Sequence, residues 1–303
     1  MILIGLPLVA LFVISLGGYL STEILKGIYN KHYANDATES YKYTAVLSFI
    51  GAAALIILSG AEFSASPFSV LLGLLFGITI MGHSCASSVA IQMGPWAYTS
   101  VLVALAVVIP AFSGAVIWDE PLSWLDFVGL VFMIVCILLS VKKDKESKKA
   151  SIKWLLSCVI AMVCMAGIGL VQKTHQSSSH KSEITVFLTT AFIFSAICST
   201  VIYLLKSRSV KERNERTSVK LPKRDKLRAY LIMICAGFSL ALNHNINLYL
   251  SGALDSVVFF PSMCACELLG ITLASLLLFK ERLSRRQWMG FVCGIIAVLL
   301  LCL

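Results

Sequence analysis

The feature that most restricts this chain is the recurrence of apolar runs about 20 residues long. A helix needs about 20 predominantly apolar residues to cross a ~30 Å hydrocarbon layer. Ten such runs are expected to be spans, over residues 4–25, 43–60, 68–90, 97–117, 124–141, 153–172, 185–205, 228–249, 256–278 and 287–303. Their unbroken length points to helices rather than to barrel strands, because each helix satisfies its own backbone in lipid. Only 14% of the residues are charged, against roughly 25% in soluble domains. The expected fold class is therefore an all-α polytopic membrane protein. The five tryptophans (Trp96, Trp118, Trp124, Trp154 and Trp288) fall at the expected span ends, where indole rings prefer to sit.

Charge fixes the expected topology. The first, fifth, seventh and ninth connections carry 3, 6, 10 and 4 of the 25 Lys and Arg residues, and the third carries none. The even connections carry only Lys173 and Lys181, both in the sixth. Cytoplasmic loops collect positive charge, so the odd loops are placed inside and both termini outside, in the plasma membrane. The net charge of +9 is thereby explained by loop placement and not by nucleic-acid binding. The ten cysteines lie in apolar runs, with no CxxC pair and no histidine at ligand spacing. They read as small packing side chains, with no metal or other cofactor expected. The opening MILIGLPLVALF has no Lys or Arg ahead of its apolar stretch and is not expected to be a cleaved signal peptide.

A repeat organises the ten runs. "WDEPLSWLDFVGLVFMIVCILL" from Trp118 aligns with "FKERLSRRQWMGFVCGIIAVLL" from Phe279, matching Glu120 with Glu281, Leu122 with Leu283, Ser123 with Ser284 and Gly129 with Gly290. The chain reads as a five-helix repeat at 1–141, a basic cytoplasmic linker at 142–152 and a second five-helix repeat at 153–303. An odd number of helices per repeat inverts the second copy, so equivalent hinges fall on opposite membrane faces. Only the cytoplasmic copy should be basic. The second hinge carries Lys280, Arg282, Arg285 and Arg286, and the first carries Asp119, Pro121, Trp124 and Leu125 at the same places. Inverted repeats are a mark of many secondary transporters.

These hinge motifs, with "VVFFPS" opening the ninth run, resemble the drug/metabolite transporter superfamily, and its EamA-type ten-helix branch in particular. The resemblance covers the chain in helix count, loop positions and repeat. It implies ten transmembrane helices as two inverted five-helix repeats around a central cavity. One departure is Glu267, in the middle of a ninth helix that is usually apolar there in the family.

Two polar stripes are candidates for the cavity lining. Thr79, His83 and Ser87 are spaced by four in the third run, as are Ser239, Asn243 and Asn247 in the eighth. With Gly77 aligned to Gly237 the stripes coincide position for position. Such residues either bond one another between helices or line water and substrate, because polar groups facing lipid are costly. Tyr98 and His244 are further lining candidates. Glu267, an ionisable group at mid-membrane depth, is the expected coupling-proton site or countercharge to a substrate. Pro110 and Pro261 are expected to shape a hinge or gate. Glu120 and Glu281 lie on opposite faces in this topology and cannot act on one bond, so they are expected to cap helices and brace loops.

The expected function is secondary transport, by export or exchange, of a small metabolite or drug-like solute. Alternating access would drive it, with protons as the coupling ion, in a monomer or homodimer. The alternatives are an integral-membrane enzyme and a non-transporting membrane subunit. No clustered catalytic acids and no GxxxxGK[ST] loop favour enzymatic or ATP-driven chemistry.

Overall fold

The computed structural model describes residues 7–33, 38–58, 65–93, 103–140, 152–213, 223–278 and 284–301. Among them there are ten α-helices and no strand. They are α1 (Leu8–His32), α2 (Thr38–Leu58), α3 (Pro67–Met93), α4 (Val108–Ile117, entered through a 3₁₀ turn at Leu105–Val107), α5 (Trp124–Ser140), α6 (Ile152–Gln176), α7 (Ile184–Arg213), α8 (Lys223–Ala253), α9 (Ser256–Leu278) and α10 (Arg285–Leu301). Each corresponds to one expected apolar run. The main departures are α7 and α8, which extend past the runs because the polar residues Lys206–Arg213 and Lys223–Arg228 are themselves helical. Lys and Arg are good helix formers, so a span continues as a helix where it leaves the apolar layer.

Five helices are long and apolar enough to cross a membrane by length and composition: α1, α3, α6, α7 and α8. The other five carry shorter apolar stretches of 10–17 residues. Large apolar side chains point outward along most of them. Ile57, Val116 and Ile152 are 75%, 81% and 82% exposed. A soluble surface rarely carries so many exposed apolar groups, and a lipid-facing one requires them.

The chain forms two compact units. Of the described residues, one comprises 13–81 and 183–246 and the other 7–12, 82–182 and 247–301. The division falls inside α1, α3 and α8, each of which contributes to both.

In the first unit α2 and α7 pack along their lengths. The Lys206 ammonium donates to the Tyr41 hydroxyl (2.9 Å), the Ser48 and Ser195 hydroxyls meet at 3.2 Å, and Gly51 abuts the Phe192 ring. Numbers rise on one helix as they fall on the other, so the pair is antiparallel. A methyl group on Gly77 of α3 would come within 2.7 Å of the Ala191 carbonyl oxygen of α7, and one on Gly237 of α8 within 2.7 Å of Ile50 of α2. Small residues let helices approach closely where lipid supplies no hydrophobic drive between them. A core of Tyr29, Tyr43, Leu47, Ala229, Met233 and Ala236 closes one end of this unit.

In the second unit α5 packs on α10. Gly129 abuts Leu301, Gly294 abuts Cys136, and the Arg286 guanidinium donates to the Leu138 carbonyl (2.7 Å). α4 packs on α9, with Gly114 beside Ser256, Ala111 clustered with Val257, and Leu105 against the cluster holding Ala265. Both of these pairs are antiparallel by the same count.

Candidate functional site

The least expected chemistry lies where α4, α6, α8 and α9 end or begin in the second unit. α4 stops when Asp119 adopts a left-handed conformation (φ 52°), a helix-terminating role usually taken by glycine. The Trp118 and Glu120 N–H groups both return to the Gly114 carbonyl, at 3.0 and 3.2 Å. The reversal brings the Glu120 side chain against Gly114. A methyl group there would collide with the carboxylate and with Ser256 Cβ, so only glycine fits. Two residues on, Ser123 and Asp126 cap α5 reciprocally. The Ser123 N–H donates to the Asp126 carboxylate (2.7 Å) and the Asp126 N–H to the Ser123 hydroxyl (3.2 Å).

Glu120 then meets Lys173, from the last turn of α6, at 2.5 Å. Their side chains are 6% (lysine) and 10% (glutamate) exposed, which makes this the one buried ion pair among the described residues. The remaining contacts go to the junction between α8 and α9. The Lys173 ammonium donates to the Leu254 carbonyl (3.0 Å), and the Ser256 N–H donates to the second Glu120 oxygen (2.7 Å). Helix ends leave carbonyls and amides without partners, with partial negative charge at the C-terminus and positive at the N-terminus. Here a cation answers the end of α8 and an anion answers the start of α9. Gln172, His175 and Gln176 of the same α6 turn are also buried, and the Gln176 amide donates to the Lys181 carbonyl (3.2 Å).

The residues singled out from sequence fall in several places. In the first unit, the Asn243 amide donates to the Ser15 carbonyl (2.9 Å) and hydroxyl (3.1 Å), and the Ser15 hydroxyl donates to the Asn243 carbonyl (3.3 Å). Asn243 thus ties α8 to α1. Thr79 returns its hydroxyl to the Phe76 carbonyl of its own helix (2.8 Å). Ser239 is half-buried, with its carbonyl facing Gly18. His244 sits edge-on to Phe76 and Phe192, with ring centres at 5.8 and 5.6 Å, and its Nδ1 is sealed without a partner.

In the second unit, His83 Nδ1 lies 3.3 Å from the Ala161 carbonyl of α6. The Ser87 hydroxyl is sealed without a partner, and Asn247 is half-buried. Glu267 stands at the middle of α9, partly buried. Pro110 is buried in the first turn of α4 against Gly169 of α6, and Pro261 is buried inside α9. Tyr98 and Glu281 lie outside the described residues.

Lys173 was not singled out as a site residue. One signal pointed to it: it is one of only two basic residues in the even connections, so its charge needed a partner on that side.

No family model matches the sequence, and no curated protein matches it. Twenty-eight chains of solved structures match. One crystal structure superposes with a TM-score of 0.74 over 96% of this chain and 94% of its own, at 11% sequence identity. The likeness extends over the whole chain and concerns the fold alone.

Proposed function

We propose that this chain is a secondary transporter of a small metabolite or drug-like solute in the plasma membrane. It would be built as ten spans in two inverted five-helix repeats, like the EamA-type drug/metabolite transporters that its hinge motifs resemble. The observation that carries this reading is the pairing rule inside the two units. α2 packs on α7, α4 on α9 and α5 on α10: each helix meets the one five later, and each pair is antiparallel. A two-fold axis in the membrane plane, relating residues 1–141 to 153–303, generates such pairs. The glycines aligned in sequence obey it too, since Gly77 seats on α7 and Gly237 on α2.

Loop chemistry supports ten crossings. Contacts between different loop regions join only connections of one parity. Ser66 donates to Glu183 (2.6 Å), joining loops two and six; Glu120 and Lys173 join four and six; Glu120 and Ser256 join four and eight. On the odd side, Lys206 joins Tyr41 and Arg286 joins Leu138. One helix that failed to cross would break this sorting.

Transport follows from a midplane polar stripe on the equivalent helices α3 and α8 together with an ionisable Glu267 at mid-depth on α9. Glu267 carries the coupling proton or faces a cationic substrate. The test is uptake, efflux and counterflow in proteoliposomes with a metabolite panel, with and without a pH gradient. Glu267→Gln is expected to keep counterflow and lose gradient-driven accumulation. Full gradient-driven transport by that variant refutes the coupling role, and no solute movement under any gradient refutes transport.

A further inference from the structure

The Lys173 ammonium fits its surroundings incompletely. It has three N–H donors, and two acceptors answer them among the described residues: the Glu120 carboxylate at 2.5 Å and the Leu254 carbonyl at 3.0 Å. Beside them the Ser256 hydroxyl is sealed, its residue 0% exposed, and has no hydrogen-bond partner. Its own backbone N–H bonds the same carboxylate (2.7 Å), and its Cβ packs on the same face of Gly114 as that carboxylate. One donor and one acceptor are therefore left over at a buried site where an unpaired polar group is expensive.

A side chain anchored on α6 reaches only as its four-carbon stem allows. A free ammonium group is not so constrained. We propose that the Glu120 carboxylate, the Leu254 carbonyl and the Ser256 hydroxyl form a recognition site for a primary ammonium group, which the Lys173 ammonium fills as a tethered occupant. The acceptor set is one carboxylate, one carbonyl and one hydroxyl. It matches the three donors of R–NH₃⁺ and falls short of the oxygen shell that a hard metal cation demands. The carboxylate supplies the charge and the two neutral oxygens the direction. The wall at Gly114 leaves no space for a quaternary ammonium.

The occupant leaves when a competing ammonium takes its acceptors, and the Lys173 charge then has to find another anion. A solute carrying both an ammonium and a carboxylate supplies each partner, so primary amines with a nearby carboxylate are the class that the exchange favours. Placing the site at the extracytoplasmic end rests on the ten-span reading above. The binding claim itself does not, and it is read without transport.

The experiment is thermal unfolding of the full-length detergent-solubilised protein, titrated with methylammonium chloride at constant ionic strength. Tetramethylammonium and sodium chloride serve as controls. Lys173→Met vacates the site and is expected to be destabilised, with its Tm restored by methylammonium and not by either control. Adding Glu120→Gln is expected to abolish that response, and adding Ser256→Ala to weaken the apparent affinity by roughly five-fold, the equivalent of one neutral hydrogen bond. If Lys173→Met cannot be purified, Lys173→Gln is titrated in the same way, its shorter side chain leaving the ammonium position open. Equal responses to methylammonium and tetramethylammonium, no response, or an undiminished response with Glu120→Gln each overturn the proposal and leave Lys173 as a fixed staple. Loss of counterflow with this response intact would instead count against transport.

Discussion

The two ends of the helices use charge in opposite ways. At the odd-loop end, ion pairs are local. Lys26–Glu23, Lys42–Glu39 and Arg228–Asp225 are all three residues apart on one helix and partly open to solvent. At the even-loop end the pair is Lys173–Glu120, assembled from separate segments and almost fully buried. Where charge is plentiful it stays in water and directs topology. Where it is scarce it is matched and built into a helix junction. Lys173 therefore offends the charge asymmetry only on paper, because its charge is cancelled by Glu120 inside the protein.

The contrast is broken most severely by removing one buried partner. Glu120→Ala leaves Lys173 and the start of α9 without their anion. It is expected to cost about 3–5 kcal/mol, read as a lowered midpoint in chemical or thermal unfolding. Asn243→Ala tests a buried but uncharged tie. It strips the Ser15 carbonyl of its donor and is expected to cost about 1–3 kcal/mol in the same assay. Lys26→Ala removes an exposed local pair and is expected to change stability by no more than about 0.5 kcal/mol. A Glu120→Ala protein as stable as Lys26→Ala would erase the distinction between the two ends.

The number of helices was legible in sequence because apolar length is a one-dimensional property. The places where α7 and α8 end were not, since a charged helix leaving the membrane looks like a loop in composition alone. Glu120 read as a helix cap from its hinge motif. The helix that it caps begins 136 residues later, at Ser256, a partner set by tertiary packing. Likewise His83 and Asn243 were readable as matching positions on α3 and α8. Only the coordinates put one against the α6 backbone and the other against Ser15 of α1. A stripe gives direction around a helix, and it does not say which neighbour stands there.

The pairing of each helix with the one five later sets a timetable for biogenesis. When Ser140 has left the ribosome, α2, α4 and α5 all exist, and none of their antiparallel partners has yet been synthesised. The glycine-lined flanks on Gly51, Gly114 and Gly129 must wait in the bilayer until the later helices arrive to cover them. Insertion is thus sequential while assembly is deferred, and the last helix to be made, α10, is the one that completes α5.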